Sequence, residues 1–558
     1  MDRTRENAMT FAAAPCRSNA LLLLVAALAP HARGQVFDYK IEGGASDSSF
    51  GAVVSRVGDV DKDGYEDFIV GAPYSGSFEG AATVYSGKSG KKIVRLTGNA
   101  STGNSQFGYD VDGRIDADGD GWNDVLIGSP GDSTGAPSGG RVLVYSPHKS
   151  MVLLDIYSNK TGAGLGASVR SLQADLDGDG IDDFIVGEVG IDAARVISGM
   201  SGTNIFVLSG QSGSQFGTSV GSAGDVDGDG VADFAVGSPY YVAAGGKITG
   251  RVATFSGADG SRIWAVDGAD NSSFGLSLAH PGDLDGDGRG DLVIGAPYHV
   301  DPNGHLTGCA TVLSGANHSL LYKVYGDQDG DLFGQSVRSV SGDIDHDGTN
   351  DWIAGATCYI STGVGYARTI SGATGTVLNT YVEHSNDPYV QSQYGSSVAG
   401  GDFDNDGVTD VLIGGSNFDG GYGIVETWTT AVASWNNYGA GWSGTLGVPA
   451  FTAQNDPVVG APLSLDLSNS LGATTIGTLV LGIGKASIPT GKGGTLLVDP
   501  LLFIPLSIPA SGLTLSGTLP NDPALYGFHL YLQALELDAG ASKGISFTQG
   551  LDLYLGYP

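Results

Sequence analysis

Cysteine is almost absent: the 558 residues hold three. Cys16 precedes the apolar run of the leader, and only Cys309 and Cys358 remain in the body. Neither a disulfide-stapled scaffold nor a thiolate metal site can be built from that supply. Cysteines 309 and 358 could pair with each other only if their Cα atoms came within about 7 Å. Positive charge is scarce too, with 27 Lys and Arg against 60 Asp and Glu, a net charge of −33. Such a chain repels phosphate backbones, which excludes nucleic acid as a partner. Catalytic signatures are missing: there is no HExxH, P-loop or dinucleotide fingerprint. Gly217-Thr218-Ser219-Val220-Gly221 matches GxSxG, but the same slot reads GASVR, GLSLA and GQSVR elsewhere in the chain. That is a strand position and not a nucleophile elbow, so no enzyme is expected. His299, His305 and Cys309 lie close in sequence without ligand spacing.

Long apolar runs are confined to the start. Arg3, Arg5 and Arg17 precede ALLLLVAALA at 20–29, and Ala32-Arg33-Gly34 follows. A basic region, a ten-residue apolar core and small residues at a cleavage site read as a signal peptide over 1–34, which predicts a secreted or cell-surface protein. No later stretch is apolar enough to cross a bilayer.

Glycine is plentiful, at 92 residues, and hydrophobic residues make 41% of the chain, enough for a core. A nine-residue string recurs seven times: DVDKDGYED from Asp59, DADGDGWND from Asp116, DLDGDGIDD from Asp175, DVDGDGVAD from Asp225, DLDGDGRGD from Asp283, DIDHDGTND from Asp343 and DFDNDGVTD from Asp402. The period of 50–60 residues points to propeller blades. Before each string stands Phe-Gly or a variant, from Phe50-Gly51 to Tyr394-Gly395; after it come three short β-rich runs split by Gly, Ser and Asp. Each period therefore predicts one four-stranded antiparallel blade. Fourth strands follow only the first six strings, and VFDYKIEG at 36–43 precedes the first. The simplest closure pairs 36–43 with 423–429, which removes an open edge.

The string carries its own chemistry. Its Asp residues at positions 1, 3, 5 and 9 aim several carboxylates into one tight turn, and position 7 can add a backbone carbonyl. The expected ligands are Asp59, Asp61, Asp63, Tyr65 and Asp67 in the first loop, and Asp116, Asp118, Asp120, Trp122 and Asp124 in the second. Asp175, Asp177, Asp179, Ile181 and Asp183 serve the third, and Asp225, Asp227, Asp229, Val231 and Asp233 the fourth. Asp283, Asp285, Asp287, Arg289 and Asp291 form the fifth, and Asp343, Asp345, Asp347, Thr349 and Asp351 the sixth. Asp402, Asp404, Asp406, Val408 and Asp410 form the seventh. An all-oxygen cage suits Ca²⁺, up to seven ions with a structural role. A helical calcium hand needs a polar ligand at position 12, where this chain has Val70, Ile127, Val186, Val236, Ile294, Ala354 and Ile413.

Phe-Gly, then DxDxDGxxD, then a GAP-like ending resembles the FG-GAP repeat of integrin alpha-subunit propellers and related secreted bacterial proteins, over residues 36–430. The fold class expected is all-β: a seven-bladed β-propeller with calcium-binding loops, followed, after a linker at 431–444, by a smaller antiparallel β-sandwich at 445–558, read from its short alternating runs split by Gly and Pro. Strand parity puts the Phe-Gly residues and the second-to-third-strand loops on one face and the acidic loops on the other. Tyr74, Tyr240, Tyr241, Tyr298, His299, Tyr359 and Phe418 fall on the first face, where aromatics can stack on sugars or anchor a protein. The expected function is an extracellular binding or adhesion module for a protein or glycan ligand. The alternatives are an extracellular enzyme or enzyme accessory acting on polysaccharide or phospholipid, and a structural cell-surface component.

Overall fold

The computed structural model describes residues 35–44, 47–99, 103–340, 342–345, 347–358, 365–383, 393–416, 423–430, 433–520, 525 and 527–556. The expected signal peptide at 1–34 lies outside them. No helix among the described residues is long and apolar enough to cross a membrane. Two compact units result, one spanning Phe37–Thr429 and the other containing Thr430–Pro558.

The first unit is a β-propeller of four-stranded antiparallel sheets, of which seven are formed. In the first, Val53–Gly58, Asp67–Ala72, Ala81–Tyr85 and Lys92–Thr97 pair in sequence order. Sequence order follows from short loops, which join neighbouring antiparallel strands most easily. Second strands such as Asp67–Ala72 and Asp291–Ala296 are buried along their whole length, whereas the fourth strand Lys92–Thr97 is half exposed. That gradient matches the residues: DFIVGA and DLVIGA are apolar after their first Asp, while KIVRLT is half polar. The last sheet is completed from the other end of the chain. Gln35–Glu42 lies beside Ile424–Thr430, and the Gly43 amide donates to the Gly423 carbonyl at 2.9 Å.

Core clusters sit between neighbouring blades. Val53, Val57 and Ile69 of the first blade meet Val111, Val125 and Leu143 of the second. Phe50, Val54 and Phe68 of the first blade meet Phe403, Leu412 and Val425 of the last. Full burial of each such side chain contributes about 1.5–3 kcal/mol.

Glycine explains why the blades approach so closely. The Phe-Gly glycines, Gly51, Gly108, Gly166, Gly217, Gly275, Gly334 and Gly395, all have φ between +77° and +93°. An added Cβ on each would lie closer than 3.0 Å to a backbone carbonyl oxygen. The second-strand glycines Gly71, Gly128, Gly187, Gly237, Gly295 and Gly355 would each collide with the carbonyl oxygen of the next blade's Phe-Gly glycine, and Gly414 would collide with that of Gly51. Both glycines of the repeat are thus halves of one inter-blade contact, repeated from each blade to the next and from the last back to the first.

The second unit has two antiparallel sheets over one core and a separate two-stranded sheet, Lys485–Pro489 with Thr495–Val498. Ser434–Tyr438, Gly550–Leu555, Phe528–Leu537, Thr475–Gly482 and Leu502–Ile508 form the larger sheet, with Ile545–Phe547 also paired to Phe528–Leu537; Phe451–Ala453, Pro462–Leu467 and Leu513–Thr518 form the smaller. Phe451, Leu465 and Leu467 of the smaller pack with Leu481, Leu532 and Leu553 of the larger. The stretch 431–444, expected as a linker, differs: Ser434–Tyr438 is a strand paired with Gly550–Leu555. Trp435 packs against the core, and Asn437 Nδ2 donates to the Phe451 and Gly550 carbonyls at 2.8 and 3.2 Å. Asn is a poor strand former by propensity, and here its tertiary hydrogen bonds override that preference.

Candidate metal centres

Each acidic string turns between the first and second strands of its blade. The position-6 glycines, from Gly64 to Gly407, have φ between +80° and +93°, which a side chain would strain. Around that turn the carboxylates follow one pattern. At position 1, Oδ2 accepts the position-6 amide at 2.7–3.1 Å in all seven loops. At position 5, Oδ1 accepts the position-7 amide at 2.8–3.1 Å, from Tyr65, Trp122, Ile181, Val231, Arg289, Thr349 and Val408.

Position 9 is the buried anchor. Asp67, Asp124, Asp183, Asp233, Asp291, Asp351 and Asp410 are at most 1% exposed. Each accepts through Oδ2 the amide of position 2 at 2.6–2.9 Å. In five blades Oδ1 also accepts the amide of a glycine after the third strand: Gly87, Gly199, Gly257, Gly315 or Gly372, at 2.9–3.0 Å. The second blade carries Pro147 at that place, which has no N–H, and Asp124 Oδ1 is left without a hydrogen-bond partner. Burial pushes the carboxyls of Asp67, Asp124 and Asp351 up to about 7, and those of Asp183, Asp233 and Asp291 up to about 6. Asp404 rises to about 7, by burial first and then by the charge of Asp406.

These turns bring carboxylates together. Oxygens of Asp59, Asp61 and Asp67 lie within 4.8 Å of one another, as do those of Asp116, Asp118 and Asp124, of Asp175, Asp177 and Asp183, and of Asp283, Asp285 and Asp291. In the fourth loop the converging set is Asp225, Asp227 and Asp229. The donors are all oxygen and all anionic, so they fit a hard divalent cation. Two basic side chains reach the same oxygens. Lys149 Nζ lies 2.6 Å from Asp118 Oδ2 and 2.9 Å from Asp120 Oδ2, and Arg289 lies 3.5 Å from Asp225 Oδ1.

The opposite face is set by the Phe-Gly turns. Amides of Tyr240 and Tyr298 donate to the carbonyls of Ser214 and Ser272, just before the Phe-Gly pairs, at 3.1 and 3.2 Å. Tyr240 and Tyr298 are 43% and 40% exposed. Others of the aromatic set are half-buried: Tyr74 packs edge-on against exposed Phe78, Tyr241 lies under the Arg251 guanidinium at 3.6 Å, and His299 packs against Tyr325. Burial lowers the pKa of His299. Tyr359 and Phe418 lie outside the described residues. Sequence reasoning passed over Phe78, in the same loop as Tyr74, and Tyr109, which directly follows a Phe-Gly pair and is 42% exposed. It also passed over the Trp122–His148 stack at 3.8 Å, topped by Lys62 at 3.4 Å. Cys309 and Cys358 are both buried, and the Cys358 thiol donates to Asp331 Oδ1 at 3.5 Å.

Comparison with known proteins agrees with this architecture. The FG-GAP repeat profile matches residues 50–85, 216–255, 274–307 and 394–432. Integrin alpha-5 of Xenopus laevis is 28% identical over 265 residues, 46% of this chain and 20% of the integrin. Integrin alpha pat-2 of Caenorhabditis elegans is 30% identical over 237 residues, 36% of this chain and 19% of that protein. Integrin alpha-6 of Gallus gallus is 40% identical over 93 residues, 16% of this chain and 8% of the integrin. The chain thus spans a fifth or less of the length of these curated relatives. Its repeats are FG-GAP repeats, and over them the chain is integrin alpha-like.

Proposed function

We propose that this FG-GAP, integrin alpha-like chain is a calcium-stabilised extracellular binding module with no catalytic activity of its own. The observation that carries the reading is the convergence of three carboxylates within 4.8 Å in the acidic turns. Close carboxylates repel one another, each pair by about 1 kcal/mol or more at moderate dielectric, and a divalent cation removes that repulsion. The ligands are the position 1, 3, 5 and 9 carboxylates, with a carbonyl from position 7. Calcium supplies charge neutralisation that pins the turn. Seven ions would take the net charge from −33 to −19. Short, solvent-facing loops of this kind suit the weak, 10⁻⁴–10⁻³ M affinities of extracellular modules, which fill only where calcium is abundant, outside the cell. The opposite face, where Phe78, Tyr109, Tyr240 and Tyr298 are exposed, would meet a protein or glycan ligand.

The test is a screen of the full chain against surface-protein and glycan arrays, with calcium and with chelator. Capture should require calcium, and Tyr240→Ala and Tyr298→Ala should reduce it without lowering the melting temperature. Elemental analysis finding no calcium, or equal capture in chelator, would refute the reading.

A further inference from the structure

The core of the second unit ends on a carboxyl. Along Phe528–Leu537, Leu530, Leu532 and Ala534 face the core shared by the two sheets, and Glu536 is the next residue of that row. It is fully buried, opposite Gly477 on one side and Ser546 on the other. Two residues on, Asp538 is buried too, as is Ser470, from the connection between Pro462–Leu467 and Thr475–Gly482. Among the described residues, the one charge that acts on Glu536 is that of Asp538.

Ser470 joins the two carboxyls. Its Oγ lies 2.9 Å from Glu536 Oε2, 2.8 Å from Asp538 Oδ2 and 2.6 Å from Ser546 Oγ. Each of these contacts has hydrogen-bond length and needs a proton of its own. The two serine hydroxyls supply two, so the third belongs to a carboxyl. Asp538 is not that group. It accepts from the amides of Thr445 and Gly540 at 2.7 and 2.8 Å and from Thr445 Oγ1 at 2.5 Å. Burial acts against its charge, yet these donors hold it down to about 2. Glu536 receives the Ser470 amide at 2.9 Å, and its Oε1 has no hydrogen-bond partner among the described residues. Burial pushes its carboxyl up, and the charge of Asp538 adds to that against the Ser470 hydrogen bonds. A buried carboxylate with one bare oxygen is costly, whereas the protonated acid is neutral and donates to Ser470.

That proton closes one end of the unit. Thr445, Ser470 and Asp538 come from three separate connections, and the carboxyl pair is where they meet. The Leu446 amide donates to the Ser470 carbonyl at 2.7 Å. Gly444 packs so tightly that an added Cβ would lie 2.0 Å from Asp538 Oδ2 and 2.4 Å from Ser470 Oγ. Without the proton, two like charges would face each other across Ser470 in a buried site, and its hydroxyl would serve only one of them. Moving Ser470 and the 444–446 segment away relieves that repulsion and lets water reach Glu536.

We propose that Glu536 carries a proton in the closed fold and that loss of this proton is a pH-sensitive switch, which releases Ser470 and the 444–446 segment from the end of the second unit. A carboxyl raised in the folded state stabilises while it is protonated, so the closed form is kept at low pH and lost as pH rises through the folded value. The switch stands independently of the calcium loops and of any ligand on the aromatic face.

The test is hydrogen exchange of the full chain in calcium buffer between pH 5 and pH 9, read by mass spectrometry and corrected for the intrinsic exchange rate at each pH. Protection of the Thr445, Leu446 and Ser470 amides should fall about tenfold per pH unit once Glu536 ionises, one proton being released. Peptides from Thr475–Gly482 should keep their protection. In Glu536→Gln the neutral amide donates to Ser470 as the acid does, so protection at 445, 446 and 470 should stay constant over the range. Constant protection in the unaltered chain, a fall shared equally by Thr475–Gly482, or the same fall in Glu536→Gln would each overturn the proposal. Should Glu536→Gln fail to fold, the unaltered chain decides: a fall confined to 445, 446 and 470 supports the switch, and a constant or shared profile overturns it.

Discussion

At the scale of single residues the repeat reads as a packing device. Phe333 is fully buried between two blades, beside Val312, Trp352 and Tyr366. Phe333→Ala should cost about 3–5 kcal/mol of stability, since the rigid blades cannot collapse into the void. Gly295 has no space for a methyl group against the Gly334 carbonyl oxygen. Gly295→Ala should cost about 1–3 kcal/mol by overpacking. Denaturant melts would check both, and a neutral Gly295→Ala would show that the blades can separate without loss. Lys149 competes for the second loop, because its ammonium sits between Asp118 and Asp120. Lys149→Gln should therefore tighten calcium binding by that loop, read by titration calorimetry as a higher-affinity class of one site.

At the scale of the acidic turn, calcium and protons should oppose each other. In the ion-free chain burial raises the position-9 carboxyls of Asp67, Asp124, Asp183, Asp233, Asp291 and Asp351 to about 6–7, above the unfolded value near 3.9. A raised carboxyl stabilises the fold while it is protonated, and that contribution is lost as pH rises through 6–7. The chelated protein should consequently melt lower at pH 8 than at pH 5. Bound calcium needs the same groups ionised, so the loaded protein should change in the reverse direction. At a hundredfold excess over Kd each site adds about 2.7 kcal/mol. The gap between melts in calcium and in chelator should be many degrees at pH 8 and should narrow toward pH 5. A gap that stays constant with pH would argue against ligation by these carboxylates.

At the scale of the whole molecule, the propeller depends on its first strand. Gln35–Glu42 lies beside Ile424–Thr430, nearly 400 residues away in sequence. The entropy of closing so long a loop grows only logarithmically with its length, and the intervening blades already bring the ends together. Tyr39 ties the strand down further, donating from its hydroxyl to the Gly87 carbonyl at 2.7 Å. Deleting residues 36–43 should lower the melting temperature of the entire propeller and expose the edge of Ile424–Thr430 to association, measured by calorimetry and light scattering. An unchanged melt would mean that the last blade stands without it.

Much of this was legible before folding, because it is local. A DxDxDGxxD turn carries its glycine and its carboxylates within nine residues, and a Phe-Gly pair announces its own bend. Counting such units sufficed for the blade architecture, for the acidic turns and for the strand that completes the last sheet. Ser434–Tyr438 was hidden because its partner, Gly550–Leu555, lies over a hundred residues away and its own composition favours a loop. The dual hydrogen bonding of the position-9 carboxylates was hidden for the same reason: Gly87 and its counterparts sit a full hairpin downstream. The buried carboxyl pair of the second unit is the extreme case. Ser470, Glu536, Asp538 and Ser546 look like ordinary polar residues in sequence, and only the strand register that sets Glu536 beside Ser546, with Ser470 brought in from 66 residues away, turns them into one shared set of protons.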